Sequence, residues 1–180
     1  SDQYIPQSWF DGILGDTGAL TYGGYLARYN TRMAVATDVT IELGAAQVSG
    51  STYNVTATVG IEAGGVAKQM RIYIVQVLDY WPMVVSYSRN GLKQGASTQD
   101  VNLSPGGSQV INRQFTFDAE SWSHQSDIRI IAWAQRISGG KDVYQAAIMP
   151  WPFTPSDPPL GDMDGNVLVN LDDLDDFVLA

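Results

Sequence analysis

The chain has no cysteine and a single histidine among its 180 residues. Without cysteine it holds no disulfide framework, thiolate metal site or CxxC redox centre. Long apolar runs are missing too: none reaches the roughly 20 residues of a membrane-spanning helix, and Ser1 opens no signal-peptide pattern. The expected molecule is a mature or trimmed soluble product. Basic residues are scarce, ten Lys and Arg against nineteen Asp and Glu, for a net charge of −9. Phosphate binding needs clustered cations, which makes nucleic acid and anionic membrane surfaces poor partners. Extended runs of Ala, Leu, Glu and Lys are absent, whereas Thr, Val, Ile, Tyr and Gly are frequent. That composition favours strands over helices.

The first segment carries a short strand-like piece, Tyr4 to Phe10, ending at Asp11-Gly12. After it, Tyr22, Tyr25, Leu26, Tyr29 and Met33 recur at three- and four-residue spacings, which predicts a helix with one apolar face, although Gly23 and Gly24 weaken it. From Asp38 the period changes to two. Val39, Ile41 and Leu43 alternate with polar neighbours, as do Tyr53, Val55, Ala57, Val59 and Ile61, with Ser49-Gly50-Ser51 between them as a hairpin turn. Met70, Ile72 and Ile74 mark a further strand. Asn90-Gly91 reads as a turn, the stretch to Ser104 as a polar connection, and Val110, Phe115 and Phe117 as another strand. "DIRIIAWAQRI" and "DVYQAAIM" close the series.

About seven short strands with Gly- or Asn-rich connections predict a mainly β chain, an antiparallel immunoglobulin-like β-sandwich. The expected organisation is an N-terminal strand and helix piece over 1–35, the sandwich over 36–149, a linker over 150–160, and a terminal segment over 161–180. Five prolines between Pro150 and Pro159 make the linker stiff and extended.

The terminal segment, "GDMDGNVLVNLDDLDDFVLA", concentrates six acidic residues and two asparagines. An EF-hand-type calcium loop takes oxygen ligands at positions 1, 3, 5, 7, 9 and 12, the seventh through its carbonyl. Asp162, Asp164, Asn166, Leu168, Asn170 and Asp173 fall on those positions, and Leu174, Phe177 and Val178 follow at helical spacing. Position 6 is Val167, where glycine ordinarily supplies the sharp turn. The alternative is a solvated acidic tail.

This segment resembles one calcium-binding half of a dockerin, the duplicated loop-helix module at the C-termini of secreted bacterial proteins. The resemblance implies bound Ca2+ and a cohesin-like protein partner, but a dockerin has two such halves and only one is present in the sequence. The body, in "YSRNGL", "SPGGSQVINRQFTFDAESW", "DIRIIAWAQ" and "KDVYQAA", resembles the C-terminal β-domain of secreted or outer-membrane thioredoxin-like bacterial lipoproteins. In that family the β-domain follows a thioredoxin-like domain, and "YIPQSWFDG" with the helix after it is similar to that domain's tail end. The resemblance implies an extracellular or cell-surface location and no redox chemistry in this chain.

Catalytic constellations are thin. His124 stands in "SWSHQSD", a loop-like stretch, with no cysteine to pair with. Glu42 with Glu62, or Asp118 with Glu120, would serve as glycosidase carboxylates only at roughly 5 to 10 Å, and surface charge is the preferred reading. "SPGGS" opens a strand and offers no phosphate-binding helix terminus. Tyr80, Trp81, Trp122, Trp133 and Trp151 would supply a sugar-stacking platform, yet Trp133 alternates with Ile131 and is expected in the core.

These observations favour a non-enzymatic extracellular structural or interaction module. Two rivals remain: a self-assembling fibre or surface-layer subunit that exchanges Tyr4 to Phe10 with neighbouring copies, and a carbohydrate-binding module.

Overall fold

The computed structural model describes residues 7–79 and 90–153. An N-terminal unit comprises β1 (Gln7–Phe10), β2 (Leu14–Thr17) and α1 (Tyr22–Met33). The main body comprises β3 (Val39–Ser49), β4 (Thr52–Ile61), β5 (Lys68–Leu78), β6 (Gly91–Gly95), β7 (Gln99–Leu103), β8 (Ser108–Thr116), the short helix α2 (Ala119–Ser123), β9 (Ile128–Arg136) and β10 (Val143–Pro150).

All pairings are antiparallel. One sheet runs β3-β4-β8; the other runs β10-β9-β5-β6, with β7 also pairing to β5. Alternation decides what each strand buries. β4 turns Tyr53, Val55, Ala57 and Val59 inward; β5 contributes Met70, Ile72 and Ile74, and β9 contributes Ile128, Ile130, Ala132 and Ala134. These meet as one core between two facing sheets, the expected β-sandwich. The β3–β4 hairpin closes at Gly50 (φ 49°), the position the glycine in "SGS" marks.

Two details depart from the reading by period. The stretch taken as a polar connection contains β6 and β7, and β7 buries only Val101 and Leu103, too few apolar residues to register as a strand. Trp133 is not in the core: Ile131 and Trp133 do share a face, but it is the outer one. β9 is apolar on both faces, so alternation alone leaves its orientation open, and the smaller Ala132 and Ala134 are the inward pair.

The N-terminal unit is seated on the body through its hairpin turn. Three residues, Asp11 to Ile13, join β1 to β2; Asp11 (φ 48°) and Gly12 (φ 74°) are both left-handed, and the Ile13 amide closes the turn on the Phe10 carbonyl at 3.2 Å. The Val143 amide donates to the Asp11 carbonyl at 2.9 Å. A Cβ on Gly12 would fall 2.0 Å from the Lys141 carbonyl oxygen. Gly12→Ala is therefore expected to lift the hairpin from the body, costing about 1–3 kcal/mol locally. Amide exchange would read this as faster exchange in β1, β2 and α1 with β4 and β5 unchanged.

α1 starts where Thr21 caps the Gly24 amide through its hydroxyl (3.2 Å). Its only covered aromatic, Tyr25, lies against Phe10, ring centroids 6.4 Å apart. Tyr22, Leu26, Tyr29 and Met33 are 81%, 40%, 51% and 65% exposed, and no residue of α1 is buried. The expected apolar face exists, but nothing among the described residues covers it.

Candidate functional site

Asp162, Asp164, Asn166, Leu168, Asn170 and Asp173, the expected calcium ligands, lie outside the described residues, as do Tyr80 and Trp81. Among the described residues, no three His, Cys, Asp or Glu side chains group closely enough to hold a metal ion, and no helix is long and apolar enough to cross a membrane.

The aromatic residues expected to act together are separated by the fold. Trp122 and Trp151 join Tyr53, Phe117 and Phe153 in a cluster at one end of the sandwich, where Tyr53 sits edge-on to Trp151 (5.5 Å) and Phe153 (5.4 Å). Pro150 is the last residue of β10, and the Trp151 amide donates to the Ile128 carbonyl at 3.0 Å, so the first residues after the strand pack back onto the core. Trp133 instead stacks on Tyr73 across β9 and β5, centroids 4.7 Å apart and planes within 3°.

The other candidates find ordinary partners. Asp118 and Glu120 converge on Lys93, at 3.1 and 2.6 Å. Asp118 also caps α2 by accepting from the Ser121 amide at 2.7 Å. That amide bond, followed by the Ser121 hydroxyl and Lys93, holds the Asp118 carboxyl below its usual range. The Glu120 carboxylate pushes the Lys93 ammonium up. His124 Nδ1 lies 2.9 Å from the Ser123 hydroxyl and 3.1 Å from the Glu120 carbonyl. Glu42 projects from β3, and Glu62 follows β4 and donates its amide to the Asp38 carbonyl.

Period reading missed the polar groups inside the body. Gln76 and Ser121 are buried and bonded to each other (2.8 Å), and Gln94 donates to Gln76 (2.6 Å) and to the Thr116 carbonyl (3.1 Å). Asp79, 1% exposed, accepts from Arg129 at 3.2 Å. Together they tie α2 and the β5 end into the sheet. A polar residue within a strand ordinarily points to solvent, so the sequence carries no sign of them.

A groove of about 900 Å³ lies between the end of α1, the segment leading into β3, and the start of β10. Three ion pairs border it: Arg32 with Asp11 (2.9 Å), Lys68 with Asp38, and Arg136 with Asp142 (2.9 Å). Tyr144 lies between two of the cations, with Lys68 5.8 Å and Arg136 5.9 Å from its ring centre. Each cation faces its own carboxylate, so the groove has balanced charge and a partly apolar floor. The Lys68 bond, then the Val66 amide (2.7 Å), lowers the Asp38 carboxyl from its ordinary 3.8. Because the folded value lies below the unfolded one, Asp38 stabilises the fold above about pH 4 and loses that contribution as pH falls through its folded value. Asp38→Asn is expected to cost ~1 kcal/mol at pH 7 and progressively less toward pH 2, which urea titrations at both pH values would show.

A second, shallower pocket of about 480 Å³ opens on the outer face of the β5–β9 sheet, beside the Tyr73–Trp133 stack. Arg71, Arg136 and Lys141 line it. Arg71 is gripped by Asp100 (2.6 and 2.9 Å), a bond that pushes the guanidinium up and the Asp100 carboxyl down.

No protein-family profile matches this chain, and no curated protein sequence does. Solved structures do match by fold. HBP35 of Porphyromonas gingivalis superposes with a TM-score of 0.56 at 14% identity, over 69% of this chain and 46% of that one. A domain of the outer membrane lipoprotein Omp28 from Porphyromonas gingivalis matches at TM-score 0.47 and 11% identity, over 63% of this chain and 88% of that one. This chain thus spans less than half the length of HBP35, with which it shares the fold of the β-sandwich.

Proposed function

We propose that this chain is a non-enzymatic interaction module of a secreted or surface-exposed bacterial protein, whose N-terminal hairpin and helix close against further protein structure. The observation that supports it is the bare stripe of α1. Tyr22, Leu26, Tyr29 and Met33 follow a 4-3-4 spacing, the seam of a helix that packs on a neighbour. β1 and β2 pair only with each other among the described residues, and an isolated two-stranded sheet is marginal in water. An α/β layer that adds a strand to this sheet and covers α1, as the resemblance to the tail end of a thioredoxin-like domain implies, would complete the unit. A neighbouring copy would do so less fully, because its own α1 stripe needs the same cover.

The terminal segment fits the same reading as a calcium-dependent attachment point. Asp162, Asp164, Asn166, Leu168, Asn170 and Asp173 would supply the oxygens, and binding would couple to ordering of that segment. Calorimetric titration with Ca2+ is expected to give saturable binding that Asp162→Ala with Asp173→Ala abolishes. Heat in neither protein would reduce the segment to a solvated acidic tail.

The interface is tested by sedimentation velocity and by binding of an apolar dye. The intact chain is expected to take up dye and self-associate weakly with rising concentration, and Leu26→Glu with Tyr29→Glu to remove both without changing the melting temperature of the sandwich. A strictly monomeric chain that takes up no dye, with α1 amides as protected as those of β4, would overturn the reading.

A further inference from the structure

We infer that the pocket beside the Tyr73–Trp133 stack is a binding site for an acidic saccharide. It lies on the outer sheet face, apart from the bare stripe of α1, and its Lys141 wall is the backbone on which Gly12 is seated.

The position is set by register. Tyr73 pairs with Trp133, and Arg71 with Gln135 one residue pair further toward the β9–β10 connection, so an aromatic wall and a polar row share one face. Beyond that row the connection rises with Gly140 and Lys141 and closes the far side. The Gln135 amide nitrogen donates to the Lys141 carbonyl at 2.8 Å, which fixes the connection over the sheet and leaves the Gln135 carbonyl oxygen as an acceptor.

Charge argues for an anion. The chain carries nine more acidic than basic residues, yet the pocket is lined by Arg71, Arg136 and Lys141 and by no carboxylate. Asp100 and Asp142 hold Arg71 and Arg136 from outside the lining. Arg136 is engaged through Nε, by Asp142 at 2.9 Å and the Tyr144 hydroxyl at 3.2 Å, so its two terminal nitrogens are not consumed by these contacts. Lys141 has no ion-pair partner among the described residues.

The uncharged groups argue for a sugar rather than a bare anion. Tyr73 offers an aromatic edge and a phenol, Gln135 an acceptor for a hydroxyl, and the volume suits a small ligand rather than a single ion. Guanidinium and ammonium groups beside them would take a ring carboxylate. The carbohydrate reading of the sequence placed its aromatics at Tyr80, Trp81, Trp122, Trp133 and Trp151; of these Trp133 stands beside this pocket, stacked on Tyr73, and the cations around it select for acidity.

The test is titration of the intact chain at low salt with trigalacturonate and with the same oligosaccharide fully methyl-esterified, followed by nuclear magnetic resonance shifts of the β5 and β9 amides. The acid is expected to bind saturably and to shift amides around Tyr73 and Gln135, with the ester at least about tenfold weaker. Lys141→Ala should weaken the acid about 5- to 10-fold without moving the melting temperature, since its side chain holds nothing in the fold. Tyr73→Phe, which keeps the stack, separates loss of the phenol from loss of structure and is expected to weaken binding about threefold. Absence of acid binding, equal binding of acid and ester, indifference to Lys141→Ala, or inorganic sulfate binding as tightly as trigalacturonate would each overturn the inference.

Discussion

Replacing Tyr53 with alanine is expected to lower the unfolding free energy by about 3–5 kcal/mol, among the largest single losses available in this chain. Tyr53 is 8% exposed and its ring touches four others: Phe117 at 5.6 Å, Trp122 at 6.3 Å, Trp151 at 5.5 Å and Phe153 at 5.4 Å. Truncation removes the ring's own burial and leaves a void that rings held from both β10 and α2 cannot fill together. A second effect follows from position. Trp151 and Phe153 lie after the last strand, and their contacts with Tyr53 hold that segment against the body. Tyr53→Ala should therefore increase proteolysis after Met149 at temperatures well below the midpoint. Tyr53→Phe keeps every ring contact and is expected to stay within about 1 kcal/mol of the parent. Guanidinium denaturation of the three proteins, with proteolysis run in parallel, checks both parts.

Arg129→Ala is the second. The guanidinium bonds the Ser126 carbonyl at 3.0 Å as well as Asp79, and it covers a carboxylate that is 1% exposed. Removing the cation leaves that charge in a low-dielectric site, which costs about 3–5 kcal/mol. In a chain of this size that corresponds to roughly 6–20 °C in melting temperature. Because the penalty belongs to a buried carboxylate that has lost its cation while keeping the Asn90 amide (3.4 Å), Asp79→Asn combined with Arg129→Ala should be less damaging than the sum of the two single changes. A thermodynamic cycle by thermal melts measures the difference, and strict additivity would show that the two groups act separately.

Much of the fold was legible because its strands obey a period of two with one apolar face. β3 and β4 were bounded by Gly50, and α1 was marked by the spacing of its apolar residues. Legibility failed where that premise fails. β9 carries Ile131 and Trp133 outward and Ile130 and Ala132 inward, so its pattern fits either face. β7 is nearly all polar apart from Val101 and Leu103. Gln76 and Asp79 are buried polar residues whose partners Ser121 and Arg129 lie 45 and 50 positions away, and no local pattern announces such a bond. Distance in sequence also hid the cationic pocket: Arg71 lies in β5 and Lys141 in the β9–β10 connection, and only the β5–β9 register places them around one space. The expected calcium loop is local by contrast, its whole pattern carried by twelve consecutive positions that lie outside the described residues.

The groove walled by the approach to β3 and the start of β10 has a mechanical meaning. A pull along the chain that has lifted the N-terminal unit enters the sandwich at Val39, beside the start of β10, and leaves it beyond Phe153, past the other end of β10. The load therefore runs along the strands, across hydrogen bonds that lie perpendicular to it. Bonds loaded in that direction share the force and must fail together, whereas a strand peeled from one end gives them up singly. A domain tethered at both ends in this way resists stretching well beyond what its equilibrium stability alone would suggest.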